Sequence, residues 1–208
     1  MDVAVMGLVA GSGWASGVNL YAAVALLGIL GRSGFGAVPD ALTRTDVIAI
    51  ALGMFALEFV ADKIPYLDSL WDAVHTVIRP MGAVALGALL SGEAETWQQV
   101  AAALGSGGLA SASHIAKATT RLAVNTSPEP ATNIGVSLVE DGLVAAVIWF
   151  AVTNPWIALG LVVVLLVAGA VLTVTLVGVA RRTLRARRER RGRRQQGTTA
   201  RPTGPPPR

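Results

Sequence analysis

The sequence predicts an all-helical protein that crosses a membrane several times, as a polytopic helix bundle. Of its 208 residues, 53% are hydrophobic and 14% are charged, whereas soluble domains carry about 25% charged residues. Mean hydropathy is +0.58. Long uncharged stretches recur along the chain, and about 20 such residues in a helix cross the hydrocarbon core of a bilayer. These observations favour a multi-pass protein of the cell membrane.

Six segments have the composition of membrane helices. The clearest is 155–180, which starts with a proline suited to the first helical position and ends at two arginines. The six predicted segments are 3–31, 46–62, 67–92, 97–124, 133–152 and 155–180. We expect residues 1–180 to form the membrane domain and residues 181–208 to be a largely disordered tail.

The charges of the two regions have opposite sign. The tail holds eleven arginines and one glutamate, while residues 1–180 hold six basic and twelve acidic residues. Short basic flanks stay in the cytoplasm, so the tail is predicted to be cytoplasmic, and six crossings place the N-terminus there too. We expect the first tail arginines to contact anionic lipid headgroups: Arg181, Arg182, Arg185, Arg187 and Arg188. Nucleic acid is not an expected partner, because the tail starts where the chain leaves the membrane.

A short phrase occurs twice. Residues 13–20 read GWASGVNL and residues 108–115 read GLASASHI, each close to a Gly-Ser-Gly. Acidic pairs and prolines recur more weakly in the segments that follow. We interpret this as an inverted repeat of two three-segment halves, 1–92 and 95–180, whose first helices break at the glycines. In such folds broken helices meet near the midplane and leave polar groups free for a ligand.

The breaks would place four polar side chains at a binding site: Ser16, Asn19, Ser111 and His114. A second reading needs no ligand. Gly13 and Gly17 have the Gly-x-x-x-Gly spacing that lets membrane helices approach closely. The sequence does not decide between a broken helix and tight packing.

Ionisable residues at membrane depth are candidates for function, because each is costly to bury there. The candidates are the acidic pairs Glu58 with Asp62 and Glu140 with Asp141. His114, Lys117 and Arg121 follow one another on one helix face and could neutralise these carboxylates. Structural ion pairs are the alternative, and Arg121 is expected to act as an interface anchor.

A weaker pattern suggests a metal. Asp68, Asp72 and His75 share one helix face, and oxygen ligands with an imidazole suit Mg²⁺ or Mn²⁺. The alternative is that both aspartates are solvated at the cytoplasmic interface. Cysteine is absent from the chain, which excludes thiolate metal sites and disulfides.

Three stretches together resemble one uncharacterised bacterial membrane family, domain of unknown function 4126. They read GSGWASGVNLYAAVALLG, EFVADKIPYLDSLWDAVHTVIRP and TRLAVNTSPEPATN. The resemblance covers nearly all of residues 7–180 and excludes the tail. It implies a small integral membrane protein and carries no established activity, substrate or catalytic residue.

Three functions fit the sequence, in this order of preference. The first is a transporter of a small solute, an ion or a lipid, with its polar site at the broken helices. The second is a membrane scaffold whose tail binds lipid or a partner. The third is a metal-dependent lipid-modifying enzyme. We expect no cofactor. The expected partners are the lipid bilayer and the anionic headgroups contacted by the tail, and the sequence is compatible with a homo-oligomer.

Overall fold

The computed structural model describes residues 1–64, 66–92, 94–126 and 130–199. Within those ranges the chain forms seven α-helices and no β-strand. The helices are α1 (Val3–Arg32), α2 (Asp40–Thr43), α3 (Thr45–Ala61), α4 (Leu67–Leu90), α5 (Thr96–Val124), α6 (Pro130–Thr153) and α7 (Pro155–Thr199). By length and composition, four of them could cross a membrane: α1, α4, α6 and α7. The all-helical membrane-type bundle predicted from the sequence is therefore present.

Local sequence signals explain several helix boundaries. Asp2 caps α1 by accepting a hydrogen bond from the amide of Val5 at 2.9 Å. Pro155 opens α7, where its missing N–H costs nothing. α7 continues past Arg181 to Thr199, into the segment for which a largely disordered tail is predicted. The division into membrane domain and cytoplasmic tail remains a prediction.

Helix α1 lies at the centre of the bundle and contacts each of the other six helices. Its geometry is interrupted once, at Asn19, which has an extended backbone (φ −153°, ψ 98°). The Asn19 side chain accepts a hydrogen bond from the amide of Ala22 at 2.9 Å, as an N-cap residue does. Asn19 therefore starts a second helical segment, residues 20–32, after the first segment, residues 3–18.

The two segments of α1 form a hairpin. A straight helix of 30 residues would hold its ends about 45 Å apart. Met1 and Asp2 nevertheless line the same cavity as residues 37–40. Gly7 lies against Pro155, and Gly36 lies against Val152, so the start of α1 and the loop after it reach the same end of the bundle. Helix α1 thus enters from one face and turns back at Asn19.

This hairpin changes the predicted topology. The remaining long helices run between the two faces of the bundle in alternating directions, as contacts at both ends of α5 illustrate. The N-terminal amine of Met1 donates to Gln98 at the start of α5, and Asn125 after its end donates to Asp68 at the start of α4. Five helices (α3 to α7) then separate the hairpin from the tail, so Met1 and Arg181 lie at opposite faces. The prediction of six crossings with both termini in the cytoplasm is not confirmed, because the hairpin of α1 leaves five helices that run from one face of the bundle to the other.

The predicted inverted repeat is not found. Helix α5 is continuous from Thr96 to Val124, whereas α1 breaks. Both helices also start at the same face, and Ser113 of α5 donates to the Trp14 carbonyl of α1 at 2.8 Å. The two similar phrases therefore lie side by side in parallel helices and adopt different structures. A non-helical residue at position 19 makes the difference, since position 114 of the second phrase stays helical.

The glycines of α1 are contact points between helices, and the break lies beyond them. A Cβ atom at Gly7 would meet Pro155, one at Gly11 would meet Ala151, and one at Gly13 would meet Ser106. At Gly17 it would meet Ser113 and the Ala110 carbonyl. The close-packing interpretation of these glycines is confirmed, and the broken helix is a separate property of Asn19.

We expect the substitution Gly17→Ala to destabilise the fold strongly, because the added methyl group overlaps backbone atoms of α5. Gly105→Ala is the matched control, since no heavy atom lies within 4 Å of a Cβ placed there. Thermal unfolding of the purified protein in detergent measures both. Equal unfolding temperatures for the two variants would contradict the close contact.

The hairpin predicts which residues share a membrane face. Because the chain has no cysteine, single cysteines can be placed at Asp2, Asp40 and Thr183 and reacted with a membrane-impermeant maleimide. Positions 2 and 40 should react from one side and position 183 from the other. Reaction of positions 2 and 183 from the same side would rule out the hairpin.

Candidate functional site

The break in α1 exposes backbone carbonyls inside the bundle. Carbonyls in the last turn of a helix have no helical donor, and they carry the negative end of the helix dipole. Side chains of α4 and α5 donate to two of these carbonyls and to a third one turn earlier. Ser113 donates to Trp14 at 2.8 Å, Arg79 to Gly17 at 3.3 Å and Lys117 to Val18 at 3.0 Å.

A buried set of charged side chains surrounds this point, and we call it the charge cluster. Ion pairs within 4.0 Å join three cations to five carboxylates. Its members are Arg79, Lys117, Arg121, Glu58, Asp62, Asp68, Asp72 and Glu140. All are buried except Glu140, whose side chain is 14% exposed. The cluster joins α3, α4, α5 and α6 around the break in α1.

Arg79 connects the hairpin to α3. Its Nη2 donates to Glu58 Oε1 at 2.6 Å, and its Nη1 donates to Asp72 Oδ1 at 2.9 Å. The planar guanidinium suits such pairing with two carboxylates. Nη1 also lies 2.8 Å from His114 Nδ1.

The neighbours of His114 fix its tautomer. Arginine has only donors, so Nδ1 accepts from Arg79 and the ring proton sits on Nε2. That proton points to Thr76 Oγ1 at 3.1 Å, and the Thr76 hydroxyl donates onward to the Asp72 carbonyl at 3.0 Å. His114 is therefore a neutral link between a cation and a hydroxyl.

Lys117 uses all three of its donors. Besides the Val18 carbonyl, Nζ contacts Asp62 Oδ2 at 2.7 Å and Glu58 Oε1 at 3.5 Å. An ammonium group has three protons, so the lysine has no donor left for another partner among the described residues. Its position next to the end of the first α1 segment also favours a cation there.

Arg121 links α3, α5 and α6. It pairs with Glu140 Oε2 in the shortest ion pair of the cluster and donates to the Asp62 carbonyl at 2.6 Å. Asn133 Oδ1 accepts from it at 3.0 Å. The expectation that Arg121 is an interface anchor was wrong, because this side chain is fully buried.

The charges of the cluster do not balance. Five carboxylates face three cations. Four carboxylate oxygens are buried without a hydrogen-bond partner among the described residues: Glu58 Oε2, Asp62 Oδ1, Asp68 Oδ2 and Asp72 Oδ2. Burying an uncompensated charge costs several kcal/mol. With all groups ionised, the cluster therefore needs about two further positive charges, as protons or as a bound cation.

The three residues of the metal hypothesis have other partners. Asp72 pairs with Arg79, and Asp68 Oδ1 accepts from Asn125 at 2.9 Å. His75 donates from Nδ1 to the Trp71 carbonyl at 2.8 Å and accepts at Nε2 from the Tyr21 hydroxyl at 3.0 Å. In the described ranges no three His, Cys, Asp or Glu side chains are arranged to hold a metal. Both aspartates are buried, which overturns the alternative of a solvated interface.

The other predicted site residues are not members of the charge cluster. Asn19 Nδ2 donates to Asp141 Oδ1 at 3.3 Å, next to the hairpin tip. Ser16 is buried, and its hydroxyl has no partner in the described part of the chain. Ser111 donates to the Gly107 carbonyl of its own helix and does not join the cluster. Of the tail arginines, Arg181 and Arg182 are exposed, and the side chains of Arg185, Arg187 and Arg188 lie outside the described residues.

Comparison with known protein families gives one match over most of the chain. A family model described as "Domain of unknown function (DUF4126)" matches residues 6–175. The chain belongs to this family. No curated protein and no solved structure matches it. Family membership and the apolar helices together indicate an integral membrane protein of unknown function, as the resemblance of the sequence implied.

The sequence predicted the carboxylates of the site, but it indicated the cations only as partners that neutralise them. Arg79 was not among the predicted site residues, although it lies seven residues from Asp72 on the same helix and pairs with it. Spacings of three, four and seven residues predicted that the charged residues share helix faces. In the structure those faces point into the bundle. The pairing of Lys117 and Arg121 with Asp62 and Glu140 agrees with the predicted neutralisation.

We expect Arg79→Met to destabilise the protein by about 3–5 kcal/mol, because it leaves Glu58 and Asp72 buried without their partner. The matched control is Arg44→Met. It removes an ion pair with Asp46 that is more than half exposed, and because water screens such pairs they contribute little to stability. Chemical unfolding monitored by fluorescence compares the two. A change of similar size in both variants would show that the cluster does not hold the bundle together.

Proposed function

We propose that this protein is a transporter that exchanges protons for a small cationic solute at the charge cluster. The observation that carries the proposal is the unequal count of charges at the tip of the α1 hairpin, five carboxylates against three cations. A site with that surplus is stable with protons bound or with a cation bound. Exchange between these two states couples the movement of one to the movement of the other.

The backbone at the site supports the same proposal. Irregular backbone at membrane depth is tolerated only where protein or water satisfies it. Transporters place unwound helices at the midplane, where free carbonyls coordinate cations. Here the carbonyls of Gly17 and Val18 are held by Arg79 and Lys117. These two cations occupy the position that a solute cation would take, so they are the groups whose movement would open the site.

The outside of the bundle suits a bilayer. Large apolar side chains such as Ile50, Leu104, Trp156 and Val174 are exposed there, whereas the charges lie inside. We place the arginine-rich tail in the cytoplasm, where it contacts anionic headgroups. The N-terminal face then lies outside, together with Asp40 and Glu95.

Reconstituted liposomes test the exchange. The protein is inserted into vesicles that contain a pH-sensitive dye, and Na⁺, K⁺ or guanidinium is added outside. For at least one of the three cations, wild-type protein should raise the internal pH as the cation enters and protons leave. Glu58→Gln and Glu140→Gln should reduce the rate at least tenfold, because each removes a carboxylate from the surplus.

Glu95→Gln is the matched control, since this carboxylate is exposed and contacts only Trp97 among the described residues. It should keep the wild-type rate. Size-exclusion chromatography shows which variants remain folded. If none of the three cations changes the internal pH with the wild type, the proposal is wrong. It is also wrong if folded Glu58→Gln and Glu140→Gln variants keep the full rate, and the cluster is then structural.

A further inference from the structure

A groove leads from the lipid-facing surface to the charge cluster. Two adjoining cavities, of about 210 Å³ and about 520 Å³, lie between α5, α6 and α7. They share Thr120, Glu140 and Leu172. Most of the remaining lining is apolar, including Leu143, Leu165 and Leu166. The groove therefore joins a hydrocarbon-like surface to one acidic side chain.

Glu140 is the member of the cluster that reaches this groove as an acceptor. Its side chain is 14% exposed, whereas those of the cluster's other carboxylates are at most 4% exposed. Only its Oε2 contacts Arg121, and Oε1 makes no hydrogen bond to any described residue. The surplus negative charge of the cluster is thus accessible at one carboxylate oxygen.

Three other polar side chains of the groove have their protons engaged. The hydroxyl of Thr120 donates to the Ala116 carbonyl at 2.9 Å, and that of Ser113 donates to the Trp14 carbonyl. Lys117 also lines the groove, but its three donors are engaged by Val18, Asp62 and Glu58. The indole N–H of Trp14 and the hydroxyl of Thr132 also line the groove, and both are neutral donors. Among the described lining residues, the charged group open to a ligand is therefore the Glu140 carboxylate, which suits a cation with N–H donors and does not suit an anionic headgroup.

We propose that this groove binds an amphiphilic organic cation, with its N–H-bearing head at Glu140 and its apolar body along α5 and α7. The inference rests on the proposed function and names the class of its solute. Apolar side chains on the outside of α5 and α7, such as Ile115, Leu122 and Val171, are exposed, as in helices that face lipid. Such a molecule partitions into the bilayer first and enters the site sideways, without crossing the headgroup region as a free ion.

Equilibrium binding to the full-length protein in nanodiscs tests the inference. The probe is n-decylguanidinium, which keeps its charge and its N–H donors. Decyl sulfate has the same chain with a negative charge, decanol has no charge, and guanidinium has no chain. The wild type should bind decylguanidinium at least tenfold more tightly than each of the other three. Equal binding of decyl sulfate would overturn the inference.

Two substitutions locate the binding. Glu140→Gln removes the charge, and Ala168→Phe fills the apolar part of the groove from an exposed position on α7. Each should weaken decylguanidinium binding at least tenfold. The matched controls are Glu95→Gln and Val174→Phe, which change an exposed carboxylate and a lipid-facing position of α7 outside the lining residues. If Glu140→Gln does not fold, Ala168→Phe alone decides.

Unchanged binding in the folded site variants would overturn the inference. Binding is measured without any ion gradient, so its result is separate from that of the transport assay. Specific binding of decylguanidinium with no exchange in liposomes would leave the groove assigned and reject the transporter. Exchange of guanidinium that continues in Ala168→Phe, with wild-type binding equally tight for decanol, would keep the transporter and reject the amphiphilic solute.

Discussion

The need to satisfy the backbone carbonyls at the end of the first α1 segment constrains most of this structure. Once the chain leaves helical geometry at Asn19, these carbonyls lie inside the bundle without helical donors. Two of the side chains that reach them are cationic, Arg79 and Lys117. Buried cations require carboxylates, and so α3, α4 and α6 contribute acidic residues to the same cluster. One irregular residue thus accounts for the charged part of the interior.

The same centre requires unusually close packing. Helix α1 can touch every other helix because its first segment presents glycines to α5, α6 and α7. Small residues let membrane helices approach without a hydrophobic driving force. The close approach also shortens the distance that the side chains of Lys117 and Ser113 must span to reach the α1 backbone. Packing and electrostatics therefore depend on each other at the hairpin tip.

The ion pairs alone would fit a purely structural role, since paired buried charges can do no more than fix helix positions. The proposed transport role rests on two further features of the cluster. Its carboxylates outnumber its cations, and one of them, Glu140, borders a groove between α5, α6 and α7. Glu140 uses one oxygen to pair with Arg121, and a purely structural network gains nothing from leaving the other oxygen open to that groove.

The sequence by itself determined the helical membrane class, the acidic residues of the interior and the family. Composition and spacing suffice for these, because apolar stretches and helix-face periodicity are local properties. The tertiary structure decided that α1 turns back, that α5 stays continuous and that Arg79, Lys117 and Arg121 point inward. The phrases at 13–20 and 108–115 are similar in sequence, and only their neighbours distinguish them. Whether a helix breaks there depends on partners far along the chain that supply donors to the freed carbonyls, and no local pattern contains that information.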